Sequence, residues 1–133
     1  MFLKTEEFSF SDENLTLYEL SALQRIEYLN YLAEIEKKSS QSDSDPSIRH
    51  AELVAMGIRA SAMLVAMSVW HAERKGPSVQ ELYDEILATW PVTALGEADR
   101  KIKALSGMMP PEQDEQPQTE NVAGAEAVTA EKS

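Results

Sequence analysis

The chain contains no cysteine among its 133 residues. Disulfides and thiolate sites are therefore excluded, which suits a reducing compartment such as the cytoplasm. Glycine occurs only five times and never as a phosphate-cradling cluster. The two histidines, His50 and His71, lie far apart with no HxxxH or HExxH pattern around them. No metal site is expected, because a closed coordination sphere needs several such ligands within reach of one ion. His50 reads as an exposed first-turn residue, and His71 as a polar residue at the rim where an apolar helix meets solvent.

Positive charge is also scarce. Lys and Arg number 12 against 23 Asp and Glu, for a formal charge of -11. Such a protein gains nothing from counterion release on DNA or RNA and is repelled by anionic lipid, so proteins are the expected partners, with no nucleic acid and no membrane. The opening Met1-Phe2-Leu3-Lys4-Thr5-Glu6 has neither the charged nor the apolar region of a secretory leader. The uncharged apolar run from Ala60 to Trp70 falls short of the ~20 residues a membrane span needs. Carboxylate pairs such as Glu6-Glu7 and Glu34 with Glu36 sit where solvated charge is expected, so neither catalysis nor a cofactor is indicated. The chain does not read as an enzyme.

What is present is helix. The pattern predicts a mainly α protein: a small irregular bundle of about four helices, preceded by a short N-terminal β-hairpin and followed by a disordered acidic tail. Residues 1–109 form the body and 110–133 the tail. In the hairpin, Phe2 to Phe10 pairs with Leu15 to Leu17 around a turn at Ser11-Asp12-Glu13-Asn14. The first helix runs from Ser21 to Lys38, opened by a capping box of Ser21 and Gln24. Ala22, Ile26, Leu29 and Ala33 recur on one stripe expected to be buried, and Tyr28, Tyr31 and Ile35 lie on a separate side. Glu27, Glu34 and Lys38 mark its solvated wedge.

The polar run Ser39 to Ser44 ends that helix, and Asp45-Pro46 caps the next, which is expected to continue to about Lys75 and to close on a left-handed Gly76 before Pro77. From Ala51 to Trp70 this second helix is apolar on nearly every side, so other helices or a partner must cover it. A second capping box, Ser78 to Glu81, opens a third helix with Val79, Leu82, Tyr83, Ile86, Leu87 and Trp90 on one face. Leu95, Ala98, Ile102 and Leu105 define a fourth, with i,i+4 pairs Glu97 to Lys101 and Asp99 to Lys103 and a stop at Gly107. From Pro110 onward, three prolines, six acids and no aromatic residue leave too little apolar surface to offset chain entropy. Trp70 and Trp90 can anchor either core or interface.

The surplus of apolar helix faces over what four helices can cover points to a client protein. Tyr28, Tyr31, Ile35, Met56, Met63 and Met67 are the candidate partner-binding residues. The three methionines form a soft stripe able to adapt to varied helices, although ordinary core filling is the commoner role for such side chains.

Several short words, in order, go further. Met1-Phe2-Leu3-Lys4-Thr5-Glu6, Glu19-Leu20-Ser21-Ala22-Leu23-Gln24-Arg25-Ile26-Glu27 and Leu64-Val65-Ala66-Met67-Ser68-Val69-Trp70-His71 are followed by Thr89-Trp90-Pro91 and Leu105-Ser106-Gly107-Met108. Together they resemble the tail assembly protein G family of lambda-like long-tailed phages. The resemblance implies a tail assembly chaperone that binds the tape-measure protein and keeps it soluble while tube subunits polymerise around it. It also implies a ribosomal frameshift giving a longer form that recruits the major tail protein. Absence from the mature virion belongs to the same resemblance, and action in the host cytoplasm and self-association are expected beside it. The alternative is a structural head-tail connector or tail terminator.

Overall fold

The computed structural model describes residues 2–40 and 45–109. Its elements are β1 (Thr5–Phe10), β2 (Glu13–Tyr18), α1 (Ala22–Ser40), α2 (Pro46–Val69), a 3-10 turn (Trp70–Glu73), α3 (Val79–Thr89) and α4 (Val92–Leu105). The mainly α architecture with an N-terminal hairpin is as the sequence pattern predicts. The tail 110–133 and the centre of the linker, residues 41–44, lie outside the described residues.

The hairpin is tighter than expected. Phe10 pairs with Glu13 across a two-residue turn, so Glu13 and Asn14 belong to β2 and not to the turn, and β1 begins at Thr5 instead of Phe2. Ser11 takes the positive φ of 54° that so short a connection demands. Phe8 faces Leu15 and Glu6 faces Leu17 in register, which puts the apolar members of both strands on one face. That face lies on the helices: Phe8 and Leu17 are buried, and the Phe8 ring stacks on Trp90 at 6.2 Å between centroids. Glu6 reaches Lys101 at 2.8 Å, so Lys101 bonds across to the hairpin and not to Glu97 along its own helix. The Asp99 to Lys103 pair forms as the spacing predicts, at 2.9 Å.

Helix α2 is the hub, touching α1, α3, α4 and β2. Its residues Ala62 to Ser68 are buried without interruption, which only a helix enclosed on all sides can achieve. By length and composition the stretch Pro46–Glu73 could also cross a membrane, an 18-residue window within it having a mean hydropathy of 1.7. Its second half instead forms the centre of the bundle. Asp45 caps α2 by accepting from the amides of Ser47 and Ile48, each at 3.1 Å, and those bonds hold its carboxyl below the usual range. The far end differs from expectation: α2 stops at Val69 and a 3-10 turn finishes it, with Gly76 outside the left-handed region. The i to i+3 bonding of that turn takes up the last carbonyls, so no left-handed cap is needed. Gly76 instead leaves room for Glu73, whose Cδ would stand 2.9 Å from an added Cβ.

Both capping boxes form: Ser21 with Gln24, two bonds of 3.2 Å, and Ser78 with Glu81 at 2.8 and 3.1 Å. Trp90 is extended ahead of Pro91 and ends α3. Gly107, at φ 68°, closes α4 with Met108 donating to the Lys103 carbonyl and Gly107 to that of Ala104, a Schellman pattern.

The inward face of α1 is not the expected one. Ile26 and Leu29 are more than half exposed and Ala22 and Ala33 are exposed too, while Gln24 and Tyr28 are buried and Tyr31, Leu32 and Ile35 half-buried. A polar side chain decides the rotation. Gln24 Nε2 donates to the Met67 carbonyl at 2.8 Å, and its Oε1 accepts from Ser21 N and lies 2.7 Å from His71 Nε2. His71 is thus buried and not at a rim. With Nε2 donating, its Nδ1 accepts from Arg74 at 3.0 Å, which requires the neutral ring. Burial, and secondarily the Arg74 charge, lowers its pKa.

Two buried serines tie the hairpin exit to the bundle. Ser68 Oγ accepts from Tyr18 N at 2.7 Å and donates to Tyr18 O at 2.8 Å, and Ser106 Oγ accepts from Leu20 N at 3.0 Å. Replacing Ser68 with Ala strips both partners from Tyr18 and is expected to cost about 1–3 kcal/mol in urea unfolding. A loss of only a few tenths would show that water replaces the hydroxyl. His71 gives a pH test. Its folded pKa lies below the unfolded value of about 6.5, so its stabilisation is complete above that value and fades as pH falls through it. The urea midpoint should drop between about pH 7.5 and about pH 5.5, and less steeply in His71→Gln.

Candidate partner-binding surface

The first half of α2 leaves the bundle. Ile48, Leu53 and Val54 are each about half exposed, at 51%, 49% and 49%. The second half of the helix is enclosed and the first half has no buried residue, so the same apolar composition that makes a core after Ala62 makes a surface before it.

Where α1 runs beside this half, the two helices and Tyr83 of α3 frame a groove of about 670 Å³. Tyr31, Ile35 and Lys38 contribute from α1, and Ile48, Ala51, Glu52, Ala55, Met56 and Arg59 from α2. Its floor is fixed by Tyr31 and Tyr83, whose hydroxyls lie 3.1 Å apart and whose rings meet edge to face at 6.3 Å. Burial and the Tyr83 hydroxyl push the Tyr31 pKa upward, so this phenol stays neutral at any physiological pH.

Three of the six expected partner-binding residues, Tyr31, Ile35 and Met56, come together here. The other three do not. Tyr28 is 2% exposed, Met63 8% and Met67 5%, all in the core. The Tyr28 hydroxyl is pushed up to about 12 by burial and then by the Asp99 charge. The residues that sequence reasoning missed are Ile48, Ala51 and Ala55, which share the Met56 side of α2. Their signal was present: one turn after the Asp45 cap, a helix start is the part of a long apolar helix with the fewest neighbours.

Three further features stand outside the groove. A shallower apolar cleft of about 220 Å³ lies between α2 and α4, with Leu53, Val54, Ile58 and Val92 on its walls. The outer side of α1 shows Leu23, Ile26 and Leu29 to solvent. A third cleft, of about 390 Å³, is lined by Phe8, Phe10, Leu15 and Trp90 and carries Glu13 and Glu85. No group of three or more potential metal ligands occurs among the described residues.

An apolar groove between helices belongs to the class of surface that can take other polypeptides. The comparisons with known proteins give that class a setting: residues 1–124 match the family described as bacteriophage lambda tail assembly chaperone, TAC, protein G. The chain belongs to this family of phage tail assembly chaperones. It is similar to tail assembly protein G of Escherichia phage lambda, at 41% identity over 138 residues, covering 98% of this chain and 95% of that one. The tail assembly protein G of Escherichia phage N15 is 39% identical over 142 residues, covering 99% and 96%. The tail assembly protein GT of phage lambda is 41% identical over 138 residues, but this chain spans only 48% of its length. No solved structure matches.

A dye that fluoresces in apolar sites should report the groove in the native protein. Ile48→Asp is expected to lower that fluorescence without loss of stability, since an acid in the first turn of α2 suits the helix dipole. Equal fluorescence from both proteins would place the accessible apolar surface elsewhere.

Proposed function

We propose that the chain, as a tail assembly chaperone, binds the tape-measure protein in the groove between α1 and α2. It keeps that long client soluble while tail tube subunits polymerise around it. The observation that carries this reading is the exposed apolar half of α2 in a chain of this family. An amphipathic client helix laid there would bury Ile35, Ile48 and Met56, in the mode by which grooves take helices. The adaptable Met56 side chain suits a client whose sequence changes along its length.

A longer form follows from the relatives named GT, which contain a region like this chain within about twice its length. We propose that a ribosomal frameshift near the end of the coding sequence produces such a form here, and that its added domain recruits the major tail protein. Several copies coat one client through self-association along its length. The protein acts in the host cytoplasm and is left behind when the virion matures, and its role is assembly and not catalysis.

The test is co-expression with the tape-measure protein. Ile48→Asp combined with Met56→Asp should abolish co-purification and send the client to the insoluble fraction, while the far-ultraviolet circular dichroism stays unchanged. Each lost side chain removes about 1.5–3 kcal/mol of burial, roughly a tenfold weakening or more apiece. Undiminished co-purification by the double variant would move the client off this groove.

A further inference from the structure

The groove is charged as well as apolar. Lys38 and Arg59, both exposed, stand among its lining residues with Glu52 as the one acid there, in a protein of formal charge -11. An occupant should therefore be acidic and carry apolar side chains.

The chain holds such a segment. Residues 110–133 contain Glu112, Asp114, Glu115, Glu120, Glu126 and Glu131 against Lys132 alone, with Val122 and Val128 among small apolar neighbours. The body delivers this segment to the right helix. Arg25 Nη1 donates to the Ser106 carbonyl at 3.2 Å, which holds the end of α4 against the first turn of α1. From Arg25 to Ile35 the helix rises only about 15 Å, whereas 24 residues of chain reach up to about 80 Å when extended. A second copy is the poorer occupant, since it brings the same large negative charge.

We propose that residues 110–133 dock in the α1–α2 groove of their own chain, their carboxylates facing Lys38 and Arg59, and that a client displaces them. Valine and alanine bury less area than the Leu, Ile or Phe of a client helix, so the cover is weak contact by contact. Tethering gives it an effective concentration in the millimolar range, enough to shield the groove until a better ligand arrives. Displacement, though not docking, rests on the client-binding reading above.

The absence of cysteine makes the test direct, because Ala127→Cys gives a single attachment point for a nitroxide on the full chain. The methyl signals of Ile35, Ile48 and Met56 should lose intensity, while those of Leu23 and Ile26 on the outer side of α1 keep theirs. The loss should disappear in molar salt, where the Debye length falls to about 3 Å, and in the exposed-site variant Lys38→Glu with Arg59→Glu. Uniform or absent loss overturns the docking. So does loss in a mixture of nitroxide-bearing and isotope-labelled chains, which would name a second copy as the occupant. Added tape-measure protein should restore the groove signals, and bound client without restoration overturns displacement. A client that fails to bind leaves the docking result standing and refutes only the client-binding reading.

Discussion

Everything in this fold depends on satisfying the backbone around a helix that offers no polar face. Ala62 to Ser68 are buried on all sides, so whatever wraps them must bury its own amides and carbonyls too. The strand-to-helix corner from Tyr18 to Gln24 is the critical piece of wrapping. Tyr18, Leu20 and the Gln24 side chain find partners there outside ladder and helix, in Ser68, Ser106 and the Met67 carbonyl. Gln24 then links Ser21, Met67 and His71 into one buried network, in which each member is needed to satisfy another. Lose the network, and the hairpin and α1 have no fixed position against α2.

Local physics made much of this legible from the chain. The Ser21 and Ser78 boxes, the Asp45-Pro46 start, the Trp90-Pro91 break and the Gly107 stop all act within five residues, and each formed as its residues indicate. The rotation of α1 was not legible. Gln24 on the inward face looks like a defect until Met67 and His71, more than forty residues away, are known to bond it. Periodicity alone therefore favoured the face of Ile26 and Leu29, which the fold leaves in water. The Glu97 to Lys101 pair failed for a related reason: Lys101 found Glu6 on the hairpin, a partner no helix spacing reveals.

The interaction surface follows the same division. That the chain has more apolar helix than it can cover was readable from composition and pattern. Which residues are left over depends on where α3, α4 and the hairpin stop along α2. Those elements cover the helix from about Ala62 onward, which takes Met63 and Met67 into the core and leaves Met56 at a groove edge. The family match places the chain in phage tail assembly.

Helix α2 is a single unbroken rod, with one end sunk in the bundle and the other forming a wall of the groove. Its exposed turns are thereby held straight by packing that lies several turns away, as a cantilever is held by its embedded end. A ligand settling there meets a wall already in its bound shape, and little backbone freedom is lost on association. Grip of this kind can be weak per contact and still fast to form and release, which is what the client binding proposed above requires.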